Sequence, residues 1–107
     1  MRLLPLLLTM GFMGADDLSA LSKASAALNA GLFEEALKHI SVAQKEDPKN
    51  AEMHRMKAFL HEALDDPKNA LESWKACLKH SKDKNIRREA KIHIKNLMEG
   101  IWSKKLI

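Results

Sequence analysis

Histidine, methionine and cysteine are the residues here with the most chemical scope, and their spacing limits what they could do. His54 and His61 lie two helical turns apart on one face, with Met53 and Met56 beside them. Two imidazoles and two thioethers could begin a metal site. A bound metal needs three or four converging ligands, however, and no carboxylate or cysteine is spaced to complete the set. These histidines are therefore expected to be structural, with no metal and no cofactor. Cys77 is the only cysteine, which rules out an internal disulfide and a CxxC redox centre. As a nucleophile it would need a lowered pKa and a positioned base; instead it stands where a small residue should pack between helices, and it is expected to be buried and inert. The chain has no glycine-rich phosphate loop, nucleophile elbow or paired-carboxylate signature. It reads as a protein without enzymatic activity.

Charge is the second chemical feature. The formal net charge of +4 is unevenly placed: residues 1–78 hold 9 Lys/Arg against 11 Asp/Glu, and residues 79–107 hold 9 against 3. The basic end is centred on a patch of Arg87, Arg88, Lys91 and Lys95, with Lys79, Lys82 and Lys84 nearby. Such a patch suits an anionic partner, although a solvated outer face on a terminal helix is the commoner explanation. Nucleic acid is disfavoured, because aromatic residues for base stacking are missing apart from Trp102. Acidic protein surfaces or anionic headgroups fit the patch better.

The elements that hold these residues are helical. Ala, Leu, Lys and Glu dominate, Tyr is absent, and 46% of residues are hydrophobic, a balance that favours a helical fold over strands or disorder. A chain of 107 residues is one domain's worth. Its first fifteen residues, MRLLPLLLTMGFMGA, run from Arg2 through an apolar stretch to small residues before Asp16 and Asp17. That is the shape of a secretory signal peptide, too short for an ordinary membrane-spanning helix. Export to a periplasmic or secreted location is expected, with a membrane-tethered or cytoplasmic chain as the alternative.

The remainder repeats. DPKNA occurs at Asp47–Ala51 and again at Asp66–Ala70, yet the chain aligns best with itself at a shift of 34 residues. There Ala24 meets Ala58, Ala36 meets Ala70, Leu37 meets Leu71, Ile40 meets Trp74 and Ala43 meets Cys77. Small and bulky apolar residues at helical spacing are what packed helix pairs require. This gives two units, at about 17–50 and 51–84, each of two antiparallel helices: 17–30 with 33–46, then 51–64 with 67–81. In each DPKN the Asp is expected to cap a helix. Ile86, Ala90, Ile94, Leu97 and Ile101 then mark a capping helix at about 85–100; either Gly100 ends it and leaves 101–107 as a tail, or the helix runs on and exposes Trp102.

GLFEEALKHISVAQKEDPKN, residues 31–50, resembles the tetratricopeptide repeat family: a turn glycine at Gly31, an aromatic at Phe33, small residues at Ala36 and Ala43, and the Asp47-Pro48-x-Asn50 ending. In the second unit Asp65 stands for the turn glycine, Pro67 for the aromatic and Cys77 for a small alanine. The resemblance covers about residues 17–82. It implies a concave groove lined by the first helix of each unit, here Leu21, Ser25, Asn29, Glu52, Arg55, Phe59 and Glu62, that holds a peptide or helix of a partner protein. Arg55 and Phe59 would be its main anchors. Two units make a shallow surface, so the same side chains could equally be only solvated. The positions that in some members hold a chaperone's C-terminal carboxylate are Leu21, Ser25 and Met56 here, which disfavours that partner. The expectation is an exported, non-catalytic interaction module of all-α, tetratricopeptide-like fold. Its alternatives are a self-associating structural subunit and a membrane-surface protein held by its N-terminal segment.

Overall fold

The computed structural model describes residues 20–106, and the segment read as a signal peptide lies outside them. The described residues are all-α. We number the helices α1 (described over 20–29), α2 (Phe33–Glu46), α3 (Ala51–Ala63), α4 (Pro67–His80) and α5 (Lys84–Leu106). Each packs against the next. None is long and apolar enough to cross a membrane.

The burial pattern recurs with the 34-residue shift. Ala24 and Ala58, Ala36 and Ala70, Ile40 and Trp74, and Ala43 and Cys77 are all buried. Alanine at these helix crossings lets the axes approach, and the larger residues fill the space between. Two clusters result. One joins Ala24 and Ala27 of α1, Ile40 of α2, and Met53 and Leu60 of α3. The other joins Ala58, Trp74 and Cys77 to Ala90 of α5, with Phe59, Ile86, Ile94 and Leu97 packed around it. His61 falls one period after Ala27, so an imidazole occupies the place of a methyl group.

The turns repeat as well, with different residues. After α1 the Gly31 amide donates to Leu28 O and the Leu32 amide to Ala27 O, with Gly31 at φ 79°. After α3 the Asp65 amide donates to Glu62 O and the Asp66 amide to His61 O, with Asp65 at φ 55°. Both are the same left-handed stop, which glycine adopts freely and an L-residue adopts under strain.

The helix starts correct one expectation. Asp66 does cap α4, its Oδ1 accepting from the Asn69 amide at 3.4 Å, with Pro67 in the first turn. In the first DPKN, Asn50 is the cap instead: its Oδ1 accepts from the amides of Glu52 and Met53 at 3.0 and 3.2 Å. Asp47 ends α2 and accepts the Asn50 side-chain amide at 3.1 Å. Asp83 opens α5, its Oδ1 accepting from the Asn85 and Ile86 amides. Of the two endings expected for α5, the stop at Gly100 is also corrected, since the helix runs through it to Leu106. Nothing lies within 4 Å of where a Gly100 side chain would be, and its φ is not positive. A helix-interior glycine costs about 1 kcal/mol relative to alanine but does not by itself end a helix.

The two turns set up opposed mutational outcomes. Asp65→Gly is expected to raise stability by about 0.5–1 kcal/mol by relieving the left-handed strain. Gly31→Ala, which meets open space and only the backbone penalty, is expected to lower it by about 1 kcal/mol. Urea unfolding of both variants checks the pair; a destabilising Asp65→Gly would show that the Asp side chain itself supports the turn.

Candidate functional site

Four of the expected groove residues lie on one face of α3, at positions 52, 55, 59 and 62, and the structure joins them to α4 and α5. The Arg55 guanidinium donates through Nε and Nη2 to the two carboxylate oxygens of Glu89, and through Nη1 to Glu52 Oε1 at 3.0 Å. It lies 5.2 Å from the centre of the Phe59 ring, a cation over an aromatic face. Phe59 meets Trp74 edge-on at 4.9 Å and His93 at 5.5 Å, and His93 stacks on Trp74 at 4.3 Å. Glu62 closes the set: its Oε2 accepts from Trp74 Nε1 at 2.6 Å and lies 2.8 Å from His93 Nδ1, without hydrogen-bond alignment.

This geometry sets the ionisation of the groups involved. The Arg55 hydrogen bond holds the Glu89 carboxyl below its ordinary range, against the opposing effect of desolvation. The two Glu89 bonds raise the Arg55 guanidinium further above its already high value. Cys77, fully buried, has its thiol pushed up to about 11 by burial. A thiol held that high is protonated at neutral pH and is a poor nucleophile.

Arg55 and Glu89 are 34 residues apart, and so are Phe59 and His93. Equivalent positions of α3 and α5 thus touch. Beside them a groove of about 330 Å³ is lined by Asn85, Arg88, Glu89, Ile92 and His93, with Ile92 54% exposed. Ser25 is half-buried and Asn29 exposed on α1, separate from this network, while Leu21 packs onto the first core cluster. The resemblance pointed to the α3 residues. The α5 partners were missed, although the 34-residue shift places Arg55 opposite Glu89 and would have found them.

The two histidines singled out for metal chemistry have separate roles. His54 Nε2 donates to Pro48 O at 2.8 Å, which leaves Nδ1 to accept from Gln44 Nε2 at 2.8 Å; the same Gln44 accepts from Lys57 Nζ at 3.3 Å. His61 is buried, and its Nδ1 lies 3.4 Å from Asp66 Oδ2 without hydrogen-bond alignment. Desolvation lowers its pKa, and nearby Lys57 adds to this against the attraction of Asp66. Both line a cleft of about 720 Å³ between α2, α3 and α4, where Gln44, His54 and Lys57 largely satisfy one another.

The basic patch is also revised. Arg87 Nη1 donates to Leu78 O and to Ser81 O, binding the C-terminal carbonyls of α4, where a cation is stabilised by the helix dipole. Arg88, Lys91 and Lys95 are exposed, and among the described residues none of them has a carboxylate within salt-bridge distance. Comparison with family models, with curated proteins and with solved structures found no match.

Two variants separate the parts played by Glu62. Glu62→Ala leaves the buried indole donor of Trp74 unpaired and is expected to cost about 1–3 kcal/mol. Glu62→Gln keeps an acceptor oxygen and is expected to cost about 1 kcal/mol, the charge-assisted share. Urea unfolding followed by Trp74 emission measures both; equal costs would refute the hydrogen-bonding account.

Acid should act through Glu89 and His61. Because the folded Glu89 pKa is depressed from 4.5, its contribution is present above that value and is lost as pH falls through the folded pKa. The His61 pKa is depressed from 6.5, so the unfolded chain takes up its proton first and stability also declines as pH falls below 6.5. A pH series of melting temperatures should therefore fall in two steps. His61→Gln is expected to shrink the upper step, to which His80 also contributes, and Glu89→Gln the lower, to which Asp66 also contributes.

Proposed function

We propose that this chain is a tetratricopeptide-like interaction module without catalysis. In this reading α1 with α2 and α3 with α4 are its two units, and α5 takes the place of the next first helix. The observation that carries the reading is the contact of Arg55 with Glu89 and of Phe59 with His93, each across one 34-residue period. The recurring left-handed stops at Gly31 and Asp65 support the same period.

The bound segment is a peptide or short helix of a protein partner, held in the groove along α5. Glu89, fixed by Arg55, and His93, stacked on Trp74, stiffen its lining, and Ile92 with Asn85 offers free contact surface. A rigid lining reduces the entropy lost on binding. The exported location suggested by the N-terminal sequence would restrict partners to the envelope or the exterior.

The test uses peptides selected from a random display library against the full chain. Ile92→Asp is preferred to Phe59→Asp because Phe59 packs against Trp74. It is expected to weaken the selected peptides at least about tenfold, the size of a modest interface anchor. Val42→Asp, on the exposed outer side of α2, is expected to leave binding unchanged, and both variants should keep their helicity. Sensitivity at Val42 with indifference at Ile92 would overturn the groove assignment.

A further inference from the structure

One exposed side of α5, which meets the groove at Arg88, carries Lys84, Arg88, Lys91, Lys95, Met98 and Trp102. Their spacing of three or four residues keeps them in one row, about 27 Å long at the rise of an α-helix. All four cations are exposed, and among the described residues none has an acidic partner. Glu99 is the one acidic residue flanking the row. By contrast, Arg55 and Lys75 have carboxylate partners and Arg87 binds backbone carbonyls.

The row ends in apolar surface that the fold leaves uncovered. The last core contact of α5 is Leu97; beyond it Met98 is 52% and Trp102 63% exposed. Half-exposed methionine and tryptophan lose apolar contact with water if they enter an interface, while lysines alongside them keep their charge in the headgroup layer. The row follows the outside of one helix and offers only a hollow of about 260 Å³ among Lys84, Arg87, Arg88 and Lys91, which fits anionic headgroups on a broad surface better than a chain that must be enclosed.

We infer that this face of α5 is a peripheral membrane surface for anionic phospholipid headgroups, with Lys84, Arg88, Lys91 and Lys95 facing the headgroups and Trp102 with Met98 entering the interface. The face adjoins the groove at Arg88, but the residues that test it, Lys91, Lys95 and Trp102, do not line that groove, so the two proposals fail independently. Charge complementarity selects the lipid class: each cation adds attraction only where the surface is negative.

The experiment uses the full chain with vesicles of phosphatidylcholine, with and without phosphatidylglycerol. Any affinity of the apolar N-terminal residues appears on both kinds; the increment due to phosphatidylglycerol reads α5. Trp74 is fully buried, so quenching by brominated lipid reports Trp102. Wild-type protein is expected to co-sediment with the anionic vesicles, with quenching of its emission and weakening as salt is raised. Lys91→Glu combined with Lys95→Glu is expected to reduce the anionic increment by about 30-fold or more and to leave helicity unchanged. Trp102→Ala should remove the quenching. Equal binding to both vesicles, an increment that survives the charge reversal, or binding to single-stranded DNA or an acidic peptide with none to vesicles would each overturn the inference.

Discussion

One carboxylate oxygen stands where three helices meet. Glu62 Oε2, on α3, accepts the indole N–H of Trp74 on α4 and lies 2.8 Å from the imidazole of His93 on α5. Trp74 is fully buried, and burying its N–H without an acceptor would be costly. The carboxylate fixes where the indole sits, and the imidazole of His93 stacks on that fixed ring at 4.3 Å. Phe59 then meets the edge of both rings, and Arg55 lies over Phe59 and reaches Glu89. The rotation of α5 is set by this ring stack together with the Arg55–Glu89 pair and the bonds from Arg87 to the end of α4.

The helix ends show how little of this depends on particular letters. Gly31 and Asp65 occupy equivalent left-handed stops, though only one is glycine. The two DPKN copies start helices in different registers, because Asn50 and Asp66 both offer a side-chain oxygen to free amides. In each copy the Asn amide also donates to the Asp carboxylate three residues earlier. The motif is a small folding unit that satisfies chain ends wherever a helix begins, which is why its spacing of 19 residues carries no information about the period.

Much of the fold was legible because it rests on local pattern. The helix at Phe33–Glu46 has the bounds that its apolar spacing gives, and α3 and α4 end one residue earlier than expected. The end of α5 was harder to read, since glycine terminates a helix only where the backbone turns left-handed, and Gly100 keeps a helical backbone instead. The site was legible in part. Arg55 with Glu89 joins opposite charges one period apart, a signal present in the chain. Glu62, Trp74 and His93 share no period and no motif; they meet only once three helices are packed, so no one-dimensional pattern marks them. Arg87 looked like its neighbours in charge, and only the nearby end of α4 separates it from them.

The two sides of α5 account for its composition. Its inner side must fit a fixed partner, and it spends Ala90 on close approach, His93 on stacking and Glu89 on the one guanidinium within reach. Every polar atom there has a determined neighbour, so substitutions are felt through the core. The outer side has no such constraint within the chain, and a helix needs only solubility there, which mixed charges would supply better than one sign. Four unpaired cations followed by an exposed tryptophan are a poor solution to solubility alone. Folding accounts for one face of this helix, and the other is the surface on which the proposed lipid contact rests.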